Sequence, residues 1–277
     1  MNTIYLKQGK AWKAYTYKNT KNVYKQLEAV LNKNNIYISD SAEIGNDCKI
    51  GNGSRIGKNV IISSDCNIGS KCILRENAFL YSNVTIGNYT EVHDGTVILD
   101  NVTIGNNCNI YTNCKICHGV TIASNVVIDQ DCTIHNNVTI GRGTRILHYC
   151  NIGIESKIGN YVILGARCTL HHSCIIGDNS QIGRNITLGG RAIVSRETNL
   201  LKSIFLTPVI TDYDYYISMT YVGNNKVSIG CHTHTIKQWL KTGITIAEDE
   251  LSDDSELVIE RFKVYFNIIE QFIKTLD

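Results

Sequence analysis

The sequence predicts a mainly β fold, in which a triangular prism of about nine stacked coils carries a short N-terminal helical cap and a small C-terminal domain of a β-hairpin plus a helix. Two observations predict the prism. A branched aliphatic residue recurs every six residues from Ile38 to Val194 with no insertion, and the residue two positions before it is small or of modest size in nearly every hexad. Because side chains two residues apart lie on one face of a strand, each hexad supplies one short strand with two inward side chains.

The rest of each hexad predicts a turn. Gly often follows the aliphatic residue, and the third residue after it is commonly Asn, Asp or Gly. These residue types tolerate the left-handed backbone of tight turns. Three strands close a coil of 18 residues, so the 27 hexads predict nine coils over residues 36–198. At a spacing of about 4.8 Å, the coils stack into a rod roughly 43 Å long.

The hexads resemble those of the hexapeptide-repeat family, whose fold is the left-handed parallel β-helix. The resemblance spans residues 36–198 and implies the left-handed sense of the coils, which the period alone does not determine. It also implies a homotrimer with active sites between neighbouring subunits. In that family a histidine acts as general base on the acceptor that attacks an acyl thioester, a role that suits a neutral imidazole near pH 7.

Cysteine usage predicts packing rather than metal or disulfide chemistry. Nine of the eleven cysteines stand two residues before the aliphatic position, where they alternate with Ala, Ser, Thr and Val as inward side chains. An odd cysteine count without a signal segment favours a reducing compartment. The single Cys-x-x-Cys match, Cys114 to Cys117, has no second pair, so a zinc site is not expected. Only Cys117 and Cys231 leave the inward pattern, and we expect these two to be accessible.

The residues that follow each aliphatic position separate three edges of the prism. One edge is plain, from Gly51 to Ser195, and the other two carry functional side chains. On the first of these, which we call the histidine edge, residues 18 apart stack about 5 Å from one another. Its candidate catalytic residues are His118 and His135, and its candidate substrate-binding residues are Tyr81, Asp100, Cys117, His171 and His172. The second candidate edge carries Arg75, His93, Asp94, Tyr111 and Asp129, with His148 further along.

One flat face carries an apolar stripe of outward residues. Ile61, Phe79 and Val97 stand 18 residues apart and therefore stack in successive coils. Solvent exposure does not explain such a stripe, whereas a subunit interface does. We predict that it is a contact surface of the homotrimer.

The ends of the chain predict two attachments, so the domains are residues 1–35, 36–198 and 199–277. Within residues 21–34 apolar positions share one helical face, which predicts a helix that covers the open end of the prism. Residues 215–236 alternate around Asn224 and Asn225 and predict a hairpin, and an amphipathic pattern over 253–273 predicts a helix. His232 and His234 share one strand face, but no third metal ligand accompanies them.

These observations leave two functions open. The first is an acyl-CoA-dependent transferase acting on an amine or hydroxyl of a sugar or small metabolite at inter-subunit sites. The alternative is a non-catalytic trimeric binding protein, for example a viral or phage-encoded one, that sequesters a small anionic ligand such as a nucleotide. The absence of a protruding loop and the divergence after residues 191–195, "RAIVS", favour the alternative. A zinc enzyme like the γ-class carbonic anhydrases lacks support, because no His-x-x-x-x-His pair is present.

Charge and hydropathy set the expected environment. The formal net charge of +2 gives no reason to expect nucleic-acid or membrane binding, and no run of about 18 apolar residues is present. We therefore expect a cytoplasmic protein whose partners are its own copies and a small-molecule ligand, with acyl-CoA as co-substrate and no metal.

Overall fold

The computed structural model describes residues 2–8, 11–200, 219–223, 226–229 and 232–235, together with residues 238 and 241. The chain divides into two compact units, Met1–Phe205 and Leu206–Asp277. Within the described residues, no helix is long and apolar enough to cross a membrane.

The first unit contains the predicted left-handed β-helix, built of three parallel sheets. The chain visits sheets 1, 2 and 3 in turn, and every strand pairs with the strand 18 residues away. Sheet 1 comprises β3 (Tyr37–Ile38), β6 (Arg55–Ile56), β9 (Ile73–Leu74), β12 (Glu91–Val92), β15 (Asn109–Ile110), β18 (Val127–Ile128), β21 (Arg145–Ile146), β24 (Ile163–Leu164), β27 (Gln181–Ile182) and β30 (Asn199–Leu200). Sheet 2 comprises β4 (Glu43–Ile44), β7 (Ile61–Ile62), β10 (Phe79–Leu80), β13 (Val97–Ile98), β16 (Lys115–Ile116), β19 (Thr133–Ile134), β22 (Asn151–Ile152), β25 (Thr169–Leu170) and β28 (Thr187–Leu188). Sheet 3 comprises β5 (Cys48–Ile50), β8 (Asn67–Ile68), β11 (Thr85–Ile86), β14 (Thr103–Ile104), β17 (Thr121–Ile122), β20 (Thr139–Ile140), β23 (Lys157–Ile158), β26 (Ile175–Ile176) and β29 (Ile193–Val194), and it is extended by the N-terminal strands described below.

The prism is confirmed and is one strand longer than predicted, since β30 adds a further hexad after residue 198. The aliphatic residue of every hexad is buried. The third residue after it adopts a left-handed backbone at most turns, as at Asn59 with φ 54°. At Gly143, which has φ 69°, the ring of Tyr161 from the next coil lies over the position that a β-carbon would occupy. A side chain at that glycine would therefore meet both backbone strain and a steric clash.

The nine axial cysteines are buried as predicted, with at most 2 % of each residue exposed. Each thiol also donates a hydrogen bond to the carbonyl of the corner residue 15 positions later, as Cys132 Sγ does to Leu147 O at 3.1 Å. Hydroxyls at the same place make the same bond, for example Ser54 Oγ to Gly69 O at 2.9 Å. Cys, Ser and Thr alternate here because each is small and each donates one hydrogen bond to a carbonyl that the ladder leaves unused.

The N-terminal cap contains more than the predicted helix. Strands β1 (Asn2–Gln8) and β2 (Ala11–Tyr17) form an antiparallel hairpin, and β1 pairs in parallel with β5, so the hairpin covers the end of sheet 3. Helix α1 (Val23–Lys33) buries Val23 and Leu31. The hairpin protects a sheet end whose backbone groups would otherwise be unpaired.

The second unit contains three described strands. Strand β31 (Met219–Gly223) pairs antiparallel with β32 (Lys226–Ile229), which confirms the predicted hairpin, and β33 (His232–Thr235) pairs with the other side of β32. The Asn224–Asn225 turn and the helix predicted over 253–273 lie outside the described residues.

Candidate functional site

The histidine edge lies where sheet 2 meets sheet 3, and its best-defined feature joins Asp100 to His118. Each of these residues follows a strand of sheet 2 by two positions, so the hexad register places them in adjacent coils. His118 Nδ1 lies 3.2 Å from Asp100 Oδ2. The other oxygen, Asp100 Oδ1, accepts a hydrogen bond from the Ser82 N–H at 2.9 Å. The backbone of one coil thus holds the carboxylate that orients the imidazole of the next.

Exposure and charge suit this pair to proton transfer. The side chain of His118 is 50 % exposed, so a small molecule can reach it. The carboxylate beside Nδ1 orients the ring, leaves Nε2 as the nitrogen available to a ligand, and stabilises the imidazolium that forms when Nε2 takes up a proton. The arrangement is that of a general base with a positioning carboxylate.

Cys117 corrects one expectation of the sequence. The residue lies at the corner beside His118, but only 6 % of it is exposed. Burial raises the pKa of the Cys117 thiol, and the nearby Lys115 ammonium opposes this shift only in part. A buried thiol with a raised pKa is a poor nucleophile, so we assign Cys117 a packing role beneath the edge.

The other predicted residues of the histidine edge do not converge on His118. His135 is half-buried, and among the described residues no carboxylate forms an ion pair with it. Tyr81 packs its ring edge-on against Phe79, with centroids 4.5 Å apart. His171 is exposed two coils beyond His135, and the ring of His172 lies over Gly190. The structure therefore brings together Asp100 and His118 and leaves the other histidines in separate coils.

The second edge, where sheet 1 meets sheet 2, contains two groups of side chains. In the first, Arg75 forms an ion pair with Glu91, and the ring of His93 stacks on Tyr111 with centroids 4.5 Å apart. Glu91 Oε1 lies 3.7 Å from His93 Nε2, a buried nitrogen for which the described residues provide no hydrogen-bond partner. These contacts tie the arginine, carboxylate and imidazole to one another.

The second group joins Asp129 to His148, whose Oδ2 and Nδ1 atoms lie 3.5 Å apart. The sequence placed His148 on this edge without selecting it, although Asp129 stands at the corner of the preceding coil. Asp94 contributes to the backbone instead, since its Oδ1 accepts the Glu76 N–H at 2.9 Å. Among the residues that the structure describes, no group of three or more His, Cys, Asp or Glu side chains could hold a metal ion.

Fold and edge together define a hexad-built β-helix whose corners carry the chemistry. The family model described as bacterial transferase hexapeptide (six repeats) matches residues 47–82, 95–130 and 155–190. The repeat region therefore belongs to the hexapeptide-repeat family. No curated protein sequence is significantly similar to the chain.

Solved structures share the fold at low identity. The UDP-N-acetylglucosamine acyltransferase of Campylobacter jejuni is 18 % identical, with 82 % of this chain and 79 % of that chain covered and a TM-score of 0.39. The enzyme of the same name from Francisella novicida is 20 % identical, with coverages of 58 % and 63 % and a TM-score of 0.29. That from Bacteroides fragilis is 15 % identical, with coverages of 85 % and 92 % and a TM-score of 0.27. At these identities and scores the likeness does not identify a substrate for this chain.

Proposed function

We propose that the protein is an acyltransferase that moves an acyl group from coenzyme A to an amine or hydroxyl of a sugar or small metabolite. The observation that carries this proposal is the Asp100–His118 pair, a half-exposed imidazole held by a backbone-anchored carboxylate. It lies within a segment matched by a family model whose description names a transferase. A thioester acceptor reaction requires a base of this kind.

The proposed step uses the two nitrogens of His118 differently. Nε2 removes the proton from the acceptor hydroxyl or amine while the acceptor oxygen or nitrogen attacks the thioester carbonyl. The C–S bond then breaks, and the imidazolium returns the proton to the departing sulfur, so that the products are the acylated acceptor and free thiol. Asp100 accepts the hydrogen bond from Nδ1 throughout and stabilises the imidazolium. Coenzyme A supplies only the activated acyl group.

We further propose that the site is completed by a second copy of the chain in a homotrimer. Ile61, Phe79 and Val97 are paired neighbours on the outer face of sheet 2, and each is only partly buried. The contact between Phe79 and Tyr81 continues this apolar stripe to the histidine edge. A subunit packed on the stripe would therefore border the coils that carry Asp100 and His118. We propose a cytoplasmic location because the chain carries ten buried thiols, which favours a reducing compartment.

Release of free thiol from acetyl-CoA in the presence of a panel of amino sugars tests this function. Removal of a general base typically costs about 10² to 10⁴ in rate, so His118→Ala should lose most of the turnover while it keeps binding of the donor. Asp100→Asn should also lower kcat, because an amide stabilises an imidazolium less than a carboxylate does. His148→Ala is the matched control, since it removes the imidazole of the other His–Asp pair, and it should retain full activity.

Two results would overturn the proposal. Full turnover in His118→Ala would move the base elsewhere, and the absence of thiol release from the wild-type protein across the panel would exclude acyl transfer to these acceptors.

A further inference from the structure

We propose that a groove across the N-terminal end of sheet 1 binds a phosphate-bearing ligand with a flat ring, a ligand of the nucleotide class. The groove has a volume of about 1210 Å³ and lies on the face of the prism opposite the histidine edge. A ligand held there cannot contact His118 of the same chain. The inference therefore does not depend on the proposed acyl transfer.

The floor of the groove is formed by outward residues of three adjacent strands. Tyr37, Arg55 and Ile73 are register partners in β3, β6 and β9, about 4.8 Å apart from strand to strand. The side chain of Tyr37 is exposed, and the ring of Tyr24 from α1 lies 6.0 Å away, centroid to centroid. The floor thus offers an aromatic surface, a guanidinium and an aliphatic side chain in a row.

The charges around the groove leave cations unneutralised. Three basic residues, Arg55, Lys71 and Arg75, line it together with two acids, Glu76 and Asp94. The acids are already engaged, because Glu76 Oε1 lies 3.9 Å from Lys58 Nζ and Asp94 accepts the backbone N–H of Glu76.

Two of the three basic residues lack an acidic partner. Arg75 is paired with Glu91, but no described acidic residue pairs with Arg55. The Lys71 ammonium lies 5.2 Å from the centroid of the Tyr89 ring rather than at a carboxylate. An anion that entered the groove would therefore meet two cations without displacing an existing ion pair.

The rim next to α1 does not oppose an anion. The last carbonyls of that helix already accept hydrogen bonds from the N–H groups of Asn34, Asn35 and Ile36. The rim consequently presents the side-chain amides of Asn32 and Asn35, which can donate hydrogen bonds.

The combination selects the chemistry of the ligand. A guanidinium binds a phosphate group in a bidentate manner, and a lysine ammonium adds a second, less directional charge. An exposed tyrosine ring offers a stacking surface for a base or a similar flat ring. Charge and ring recognition stand side by side on one floor, so a nucleotide satisfies both, whereas inorganic diphosphate satisfies the first and a nucleoside satisfies the second.

Calorimetry on the full chain with ATP, ADP, UDP, inorganic diphosphate and adenosine tests the proposal. We expect the nucleotides to bind more tightly than either diphosphate or adenosine. Arg55→Ala should weaken nucleotide binding at least ten-fold, while Tyr37→Leu should weaken nucleotide binding and leave diphosphate binding unchanged. The matched control is Arg145→Ala, an exposed arginine at the same outward position of sheet 1 five coils further along, and it should bind like the wild type.

His118→Ala separates this site from the proposed active site, because it should lose acyl transfer and keep wild-type nucleotide affinity. The proposal is overturned if no nucleotide binds at millimolar concentration, or if Arg55→Ala binds as tightly as the wild type. Equal affinity for diphosphate and the nucleotides would refute recognition of a ring.

Discussion

Replacement of Cys132 by Ala tests whether the axial thiols stabilise the prism by hydrogen bonding as well as by filling space. Cys132 is fully buried, and its Sγ donates to Leu147 O at 3.1 Å. The same sulfur accepts the Cys150 N–H at 3.4 Å. Alanine therefore removes a small buried group and leaves a carbonyl and an N–H without their partner.

The expected cost follows from these contacts. Loss of a small buried group costs about 1 kcal/mol, and a buried polar group left without a partner costs about 1 kcal/mol or more. We expect the free energy of unfolding of Cys132→Ala to fall by about 2 kcal/mol. Urea unfolding followed by far-ultraviolet circular dichroism measures this as a lower midpoint at an unchanged slope.

Cys132→Ser is the matched control, because serine already makes both bonds elsewhere in the prism. Ser156 Oγ donates to His171 O at 3.1 Å and accepts the Cys174 N–H at 3.2 Å. Cys132→Ser should therefore be more stable than Cys132→Ala by about 1 kcal/mol. The reasoning is refuted if the alanine variant unfolds at the wild-type midpoint, or if serine is no better than alanine.

Two further predictions concern pH and assembly. Burial raises the pKa of the Cys72 and Cys174 thiols from 9.0 to about 11, so the stability they contribute is complete below pH 9 and is lost as the pH rises towards 11; the urea midpoint should fall across that window, and a flat profile would contradict the assignment. Phe79→Asp should place a charge in the apolar stripe and yield monomers or aggregates in sedimentation, whereas Thr85→Asp on sheet 3 should sediment like the wild type. A wild-type protein that sediments as a monomer at micromolar concentration would remove the interface.

Most of the fold could be predicted because the prism is built from local and repeated information. Each hexad carries its own inward pair and its own turn residue, and the uninterrupted period between Ile38 and Val194 carries the register of every strand. The N-terminal hairpin was missed because only Ile4 and Leu6 show its buried alternation, which is too short a pattern to distinguish from chance. A pair of strands that joins the prism from outside the repeat leaves no mark on the period.

The candidate site was predicted less completely. The stacking of residues 18 apart was enough to place Asp100 and His118 on one edge, and the same arithmetic sets Cys117 below His135. That difference already favours His118 as the histidine with a carboxylate neighbour, although the sequence analysis treated both histidines alike. The burial of Cys117 could not be seen, because the exposure of a corner residue depends on the side chains of the coils above and below it.

By itself the sequence determined the β-helix, the inward role of nine cysteines and the edge to which each functional side chain belongs. These features depend on a six-residue period that the backbone must follow if its hydrogen bonds and apolar residues are to be satisfied. Only the tertiary structure decided that Asp100 pairs with His118, that Arg75 pairs with Glu91, and that Arg55 lacks an acidic partner. The physical reason is that a repeat specifies the position and direction of each strand, whereas the conformation and pairing of an outward side chain depend on distances to neighbours in other coils and in the cap.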